Sequence, residues 1–494
     1  MTTWQAIQRL PLAAQRELQN QRLARYVREY LYPFHPYYRE LFDRSGIKPQ
    51  QIRTVDDLRR VPLSSKRDLL PTDEDPQRFK QFILQPDPAS LKRAWPLSRK
   101  LPLLFRRWLH GTQAVKETLR REFYPCFMTF TTGRSADPIP FFYTPHDIGN
   151  LHETGRRLVE VMGVDQESRV VNLFPYAPHL AFWQVVFAGL ETGMMILSTG
   201  GGRVMGTSGN LRAITRARAT ALLGVPGYMY HLLRRGVDEG LDMSSVRYVV
   251  LGAERVPPGM KEKIRDMLRQ MGAADVHVFG TYGFTEARMA FAECPTEDGT
   301  YSGYHLYPDL AVFEVIDPKT GERLPDDADG ELVFTPLTGR GSTVLRYRTG
   351  DLVRGGIRWE PCAHCGRTLP RISSDLTRES SLTDLQLLKV KGTLVNLEDC
   401  AQILADMPEV EEWQIELQKK DNDPLEVDEI VVHLALRGDG DREATVARIR
   451  DAFKGRIEVT PNRVEFLALD EMLERIGMER EIKERRFVDS RPKA

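Results

Sequence analysis

The chain has 494 residues and a formal net charge of zero, with 69 Lys+Arg against 69 Asp+Glu. It is long enough for two to four domains, and its charge balance supplies no global attraction to nucleic acid or to an anionic membrane. Five cysteines are too few and odd in number for a disulfide scaffold.

No apolar run reaches the ~18–20 residues that span a bilayer; the best, from Val185 to Leu197, is broken by Glu191. The start, Met1-Thr2-Thr3-Trp4-Gln5, lacks the basic-then-apolar layout of a signal peptide. A cytoplasmic location is expected.

The first 70 residues read as polar helices, with helix-period apolar positions from Leu10 to Leu31. Residues 71–124 stand apart. They hold Pro86 and Pro88, then basic and apolar residues interleaved in Trp95-Pro96-Leu97-Ser98-Arg99-Lys100 and Leu104-Phe105-Arg106-Arg107-Trp108-Leu109. Such interleaving fits a membrane-surface helix. The commoner arrangement, a surface helix docked on its own protein, is the expectation.

From residue 123 to about 370, strand-like and helix-like segments alternate. Arg247-Tyr248-Val249-Val250-Leu251 reads as a buried strand. A helix follows, with Pro257 and Pro258 near its first turn and Met260, Ile264, Met267, Leu268 and Met271 as its apolar stripe. Gly272 stops it, and Asp275-Val276-His277-Val278-Phe279 is the next strand. Such β-α-β units build parallel sheets. After Leu310, Val312–Ile316 and Gly330–Thr335 predict a β-hairpin around Asp317-Pro318-Lys319-Thr320-Gly321. Beyond Arg378, strands at 414–417 and 429–436 and a helix at 442–453 predict a small α+β domain.

The sharpest motif is Gly280-Thr281-Tyr282-Gly283-Phe284-Thr285-Glu286, read as a loop directly after the strand ending at Phe279. Ligands of parallel sheets sit at such strand ends, and a hydroxyl beside a hard carboxylate suits phosphate and Mg²⁺. By itself the pattern is equally a glycine turn with a solvated Glu. The second motif is Tyr347-Arg348-Thr349-Gly350-Asp351-Leu352. An Asp after a glycine turn can accept ribose hydroxyls; alone it is an ordinary turn.

Together, in this order, the two motifs resemble the adenylate-forming superfamily, with its Y-G-x-T-E and Y-R-T-G-D loops. Within it the chain resembles the phenylacetate–CoA ligases. The likeness is carried by His35-Pro36-Tyr37-Tyr38-Arg39, Asp56-Asp57-Leu58, Pro62-Leu63-Ser64-Ser65-Lys66, Gly252-Ala253-Glu254, Glu293-Cys294-Pro295, Gly303-Tyr304-His305 and Cys362-Ala363-His364-Cys365-Gly366-Arg367-Thr368. It covers most of the chain except residues 71–124, which form a longer insertion.

The resemblance implies a site. Gly252, Ala253 and Glu254 match the segment bordering adenine, and Tyr282, with Gly283 beside it, the loop aromatic at the adenylate. Thr285 matches the α-phosphate contact, Glu286 the Mg²⁺ ligand, Asp351 the ribose-binding Asp and Arg378 the hinge Arg. Lys483 matches the mobile-domain lysine, which can bridge carboxylate and α-phosphate as charge shifts. The phosphate loop reads Met128-Thr129-Phe130-Thr131-Thr132-Gly133-Arg134. It keeps the hydroxyls of Thr129, Thr131 and Thr132 and the final Gly133, and Arg134 suits phosphate. It departs from the family at Phe130, which stands where a glycine is usual, as Ile482 does before Lys483.

Cys362 and Cys365, followed by Gly366, form a C-x-x-C typical of a zinc knuckle. The resemblance names Cys294 and His305 as the further ligands, with His364 a possible substitute. A redox pair or two buried cysteines are the rival readings. For the acid pocket, Tyr176, His179, Phe182, Gly227 and Tyr228 lie in aromatic and small-residue stretches that suit an apolar acyl or aryl group, as they equally suit core packing.

The expectation is an α/β adenylate-forming fold. Residues 1–376 make a large N-terminal domain of parallel sheets and helices, and residues 377–494 a small mobile α+β lid. The implied reaction joins a carboxylic acid to ATP, with Mg²⁺, to give acyl-AMP, and coenzyme A then takes the acyl group as a thioester. Alternatives are transfer to a carrier protein or an amine, or a degenerate nucleotide-binding relative, the reading that Phe130 and Ile482 favour. Structural Zn²⁺ is expected, and the resemblance makes a homodimer plausible.

Overall fold

A computed structural model of the chain describes residues 3–131, 138–254, 256, 258–296, 301–378, 389–390, 393–394, 397–420, 428–438, 440–457, 460–478 and 484–491. It divides into two compact units, each assembled from separated stretches. The first joins Met1–Ser168, Ala177–Ile196 and Phe279–Leu376; the second joins Arg169–Tyr176, Leu197–Val278 and Thr377–Ala494.

In the first unit the N-terminal helices, chiefly Leu12–Tyr26 and Pro36–Arg44, are tied by side chains to distant segments, Gln19 donating to the Ala311 carbonyl of a sheet at 3.1 Å. That sheet contains the expected hairpin: Ala311–Ile316 pairs antiparallel with Gly330–Pro336, placing Val312 opposite Thr335, and Tyr347–Val353 adds to its far side. The helix Pro145–Met162 crosses Leu180–Thr192 closely. A Cβ on Gly155 would lie 2.6 Å from the Ala188 Cα, so only glycine lets the backbones meet there. His35 is fully buried and caps the helix Pro36–Arg44: its Nδ1 accepts the Tyr38 N–H at 3.2 Å, and its Nε2 lies 3.2 Å from the Thr343 carbonyl. Burial holds this imidazole neutral, with its pKa down at about 3.

The second unit carries the parallel sheet. Arg169–Asn172, Ala221–Gly224 and Tyr248–Leu251 run parallel, with Val170 opposite Ala221 and Leu222 opposite Val249. The helices Pro226–Asp238 and Pro258–Gln270 cover it, and the apolar stripe of the latter buries Ile264, Met267 and Leu268 as the periodicity predicts. Pro257 lies outside the described residues. The C-terminal part pairs Val410–Lys419 antiparallel with Asp428–Leu436. Arg463–Phe466 and Phe487–Asp489 flank them in parallel, and Cys400, Ile415, Val432 and Phe453 form the core.

Two expectations are corrected. The strand expected to end at Phe279 continues through Phe284, because Thr281 to Phe284 pair with Met289 to Ala292. Gly283 serves close packing, not a turn: a Cβ there would lie 3.0 Å from that of Ala290. The helix Leu97–Phe123, broken at Gly111 (φ +79°), does not dock its apolar stripe as expected. Leu97, Leu101, Leu104, Phe105, Trp108 and Leu109 are all exposed.

Candidate functional site

In the first unit the two long motifs meet. The strand His277–Phe284 carries Tyr282 into the unit. A tight turn follows, closed by Ala287 N–H to the Phe284 carbonyl and Arg288 N–H to the Thr285 carbonyl, both 3.1 Å. The turn presents Thr285 and Glu286, both buried. Two hydrogen bonds tie it to the second motif: Tyr347 Oη donates to Glu286 Oε1 at 2.7 Å, and Tyr282 Oη donates to Asp351 Oδ2 at 2.8 Å. A phenol–carboxylate bond is charge-assisted and strong where water is scarce.

Asp351 sits on a strand, not in the simple turn expected. Between Glu331 and Val333 the pairing with Tyr347–Val353 shifts, so that Thr349, Gly350 and Asp351 together oppose Leu332. Gly350 takes φ +71° in this bulge, and the Thr349 hydroxyl donates to the Leu332 carbonyl and accepts the Asp351 N–H. Bulges re-aim side chains beside sites; this one turns Asp351 to Tyr282.

The strand Phe127–Phe130 reaches the same place. The Phe130 N–H donates to the Pro178 carbonyl at 2.7 Å, and the Phe130 carbonyl accepts the Thr285 hydroxyl at 3.3 Å. His179 Nδ1 lies 3.1 Å from that carbonyl, which assigns its proton to Nδ1. Phe130 thus contributes its backbone to the Glu286 turn. Thr131 pairs with Ile139: its N–H reaches the Ile139 carbonyl and its hydroxyl accepts the Ile139 N–H, both at 3.0 Å. Thr132, Gly133 and Arg134 lie outside the described residues. Phe182 is buried against Trp183, with ring centroids 5.3 Å apart.

The remaining candidates belong to the second unit. Gly252, Ala253 and Glu254 leave the strand Tyr248–Leu251; the Gly252 N–H bonds the Gly224 carbonyl, and Ala253 takes φ +69°. A non-glycine residue held there is strained, as is common at ligand-binding turns. Gly227 lies against Glu484, where a Cβ would come within 1.8 Å of Oε1. Burial pushes the Glu484 carboxyl up to about 7, against the pull of Arg486 at 2.5 Å. Tyr228 is buried and accepts a bond from Asn210 Nδ2 at 2.9 Å; Tyr176 is exposed. Arg378 ends the strand Leu376–Arg378, and nothing further is described of it. Lys483 and Ile482 lie outside the described residues.

The cysteine–histidine set converges in the first unit. Ligand atoms of Cys294, His305, Cys362 and Cys365 all lie within 4.8 Å of one another. The Cys294 and Cys362 sulfurs are 3.7 Å apart, and Cys365 Sγ is 3.4 Å from His305 Nε2. Ligands of a tetrahedral Zn²⁺, with bonds of ~2.3 Å to sulfur and ~2.05 Å to nitrogen, would be separated by ~3.8 Å (S–S) and ~3.6 Å (S–N). The donor set and its spacing fit that ion. His305 Nδ1 faces the Ala292 carbonyl at 3.3 Å, which fixes the tautomer with Nε2 toward the sulfurs. Gly366 (φ +66°) shapes the knuckle, its N–H bonded to the Cys362 carbonyl. His364 is exposed and is not one of the four. Hydrogen bonding with Cys294 drives the Cys362 and Cys365 thiols below their ordinary range, and Cys294 rises in exchange.

Three supporting residues have no role assigned from the sequence. Tyr347 was visible only as the first letter of its motif. Glu293 accepts the Gly280 N–H at 2.5 Å and the Ser374 hydroxyl at 2.9 Å. Arg288, at φ +55°, anchors the end of the turn on buried Asp147 at 2.9 Å.

The family model described as AMP-binding enzyme matches residues 90–340, and the chain belongs to that family. Within it the chain is a phenylacetate–CoA ligase-like member of the adenylate-forming enzymes. It is 27% identical over 408 residues to the phenylacetate-coenzyme A ligase of Thermus thermophilus, covering 82% of this chain and 78% of that one. It is 23% identical over 456 residues to the corresponding ligase of Pseudomonas putida, covering 90% and 89%. The fold matches a crystal structure of 2-hydroxyisobutyryl-CoA ligase in the postadenylation state with 2-HIB-AMP. The TM-score is 0.74 at 18% identity, over 98% of this chain and 91% of that chain.

Proposed function

We propose that the chain activates a carboxylic acid with ATP and passes the acyl group to coenzyme A. A carboxylate oxygen of the acid attacks the α-phosphorus of ATP; the bond to the β-phosphate oxygen breaks, and pyrophosphate leaves. The CoA thiol then attacks the acyl carbonyl, losing its proton, and AMP leaves. The observation that carries this reading is the pairing of the two motifs through Tyr347–Glu286 and Tyr282–Asp351. It presents two carboxylates and the Thr285 hydroxyl within one buried patch.

In this reading Asp351 accepts from ribose, with Tyr282 orienting it, and Thr285 contacts the α-phosphate. Mg²⁺, held by Glu286, would supply charge neutralisation on the phosphates. Lys483 stabilises the charge that develops between carboxylate and phosphate, and Thr131 to Gly133 cradle pyrophosphate. Gly252 to Glu254 border adenine, and Arg378 marks the hinge between domains 1–376 and 377–494. For the acid, the reading keeps the residues the sequence offers, His179 and Phe182 in the first unit and Tyr176, Gly227 and Tyr228 in the second. Cys294, His305, Cys362 and Cys365 hold a structural Zn²⁺, closed by four protein ligands and so outside the reaction.

ATP–pyrophosphate exchange with a panel of aryl and alkyl acids tests the first step, and acyl-CoA formation the second. Exchange without acyl-CoA would move the acceptor to a carrier protein or amine. AMP binding without exchange for any acid would leave a degenerate nucleotide binder and sink the enzymatic reading. Phe130 supports the latter only weakly, since its carbonyl accepts the Thr285 hydroxyl of the Glu286 turn and its N–H is engaged with the Pro178 carbonyl.

A further inference from the structure

The segment between Trp95 and Phe123 is pinned at both ends and turned inside out in the middle. Trp95 is buried, donating its indole N–H to the Glu29 carbonyl at 3.1 Å, and Phe123 is buried 5.9 Å from it, centroid to centroid. After Gly111 the helix docks normally, with Ala114, Val115, Thr118 and Leu119 half-buried. Before Gly111 the order reverses. Arg99 faces inward, 3.5 Å from Glu29 and 5.4 Å over the Tyr30 ring. Leu103 is half-buried beside it, but six apolar residues face out: Leu97, Leu101, Leu104, Phe105, Trp108 and Leu109 are 51–78% exposed. At 100° per residue they occupy an arc of about 140°. Phe105 and Trp108 form a pair, 5.9 Å between centroids.

Charge selects the occupant of this face. From Pro88 to Lys116 the chain has no Asp or Glu, but carries Lys92, Arg93, Lys100, Arg106, Arg107 and Lys116 besides Arg99. This one-signed stretch sits in a chain whose total charge is zero. A second copy docked on this face would set cations against cations. The face is the exposed side of a helix, with an aromatic pair at the middle of its arc. Apolar and aromatic side chains that enter an acyl boundary while Lys and Arg reach back to phosphates are how an amphipathic helix lies in a membrane interface.

We propose that the helix from Leu97 to His110 docks the protein on the surface of an anionic phospholipid bilayer, with Leu104, Phe105 and Trp108 inserted below the headgroups. The proposal is independent of the acid-activation reading.

The full-length protein is cosedimented with vesicles of phosphatidylcholine, with and without phosphatidylglycerol. Binding is expected on the anionic vesicles, falling with added salt. Replacing Leu104→Ser, Phe105→Ser and Trp108→Ser together should lower the bound fraction roughly tenfold or more. Arg106→Gln with Arg107→Gln should lower affinity about fivefold per charge. Neither set touches the proposed site, so melting temperature and ATP–pyrophosphate exchange in solution should match the wild type, and exchange reports the enzymatic reading separately. Absence of binding to anionic vesicles overturns the proposal, as does binding that both sets of variants retain. A dimer in sedimentation that the triple variant splits, with no vesicle binding, would assign the face to self-association and equally overturn it.

Discussion

Tyr347→Phe removes one oxygen from the centre of the proposed site. Tyr347 and Glu286 are both buried, and the lost bond is the 2.7 Å donation to Oε1. A hydrogen bond to a charged group contributes about 1.5–3 kcal/mol, which at 1.4 kcal/mol per decade is roughly 10- to 150-fold. On the assignment of Glu286 to Mg²⁺, that loss falls on how the carboxylate is held for the ion. The Mg²⁺ concentration giving half-maximal ATP–pyrophosphate exchange should rise about tenfold or more, with rate recovered in part at high Mg²⁺. The change leaves no cavity larger than an oxygen, so the melting temperature should move little. Exchange that is intact with an unaltered Mg²⁺ dependence would refute the role given to both residues. A lost rate with an unaltered Mg²⁺ dependence would refute the assignment of Glu286 to the ion.

Purified protein should carry about one zinc per chain, and Cys365→Ser or His305→Ala should lose it and lower the melting temperature; substoichiometric zinc in the wild type under reducing conditions would reject the site. His35 has a folded pKa of about 3 against 6.5, so below pH 6.5 the unfolded chain takes up a proton that the folded chain refuses. Its contribution is whole above pH 6.5 and shrinks as pH falls toward 3, by about 2 kcal/mol between pH 7 and pH 5. Urea denaturation at the two pH values should show this, and His35→Asn, which keeps a helix cap, should flatten it; equal slopes would count against the buried neutral imidazole. Gly227→Ala puts a methyl group against the Glu484 carboxylate, which is buried and held by Arg486, at a cost of about 1–3 kcal/mol. An unchanged urea midpoint would show that Glu484 does not sit there.

Local pattern carried the elements whose apolar period is clean. The stripe from Met260 to Met271, the hairpin around Asp317 and the C-terminal strands all fold as read. Pairings between distant segments were not legible. Gly280 and Gly283 look like turn glycines until Glu293 and Ala290 are known to press against them. Gly350 looks like a turn until Leu332 is known to lie opposite its bulge. Both motifs of the site could be seen separately, but the bonds that join them, Tyr347 to Glu286 and Tyr282 to Asp351, depend on a register that no window of residues encodes. The orientation of the helix at 97–110 failed for a similar reason. Periodicity says that an apolar face exists, and only the anchors Trp95, Arg99 and Phe123 say which way it points.

The way the first unit is stitched together also sets a timetable for its birth on the ribosome. Gln8 and Gln15 bond Arg367 and Thr368, His35 bonds Thr343, and Tyr38 bonds Leu345, across separations of 307 to 359 residues. At about 5–20 residues per second, the partners of the N-terminal helices emerge roughly 15–70 s after the helices themselves. Until then the buried hydroxyls of Tyr26 and Tyr38 lack the Gly339 and Leu345 carbonyls to which they donate in the finished protein. The N-terminal helices therefore complete their bonds only after most of the chain has been made, and closing so long a loop carries an entropic cost.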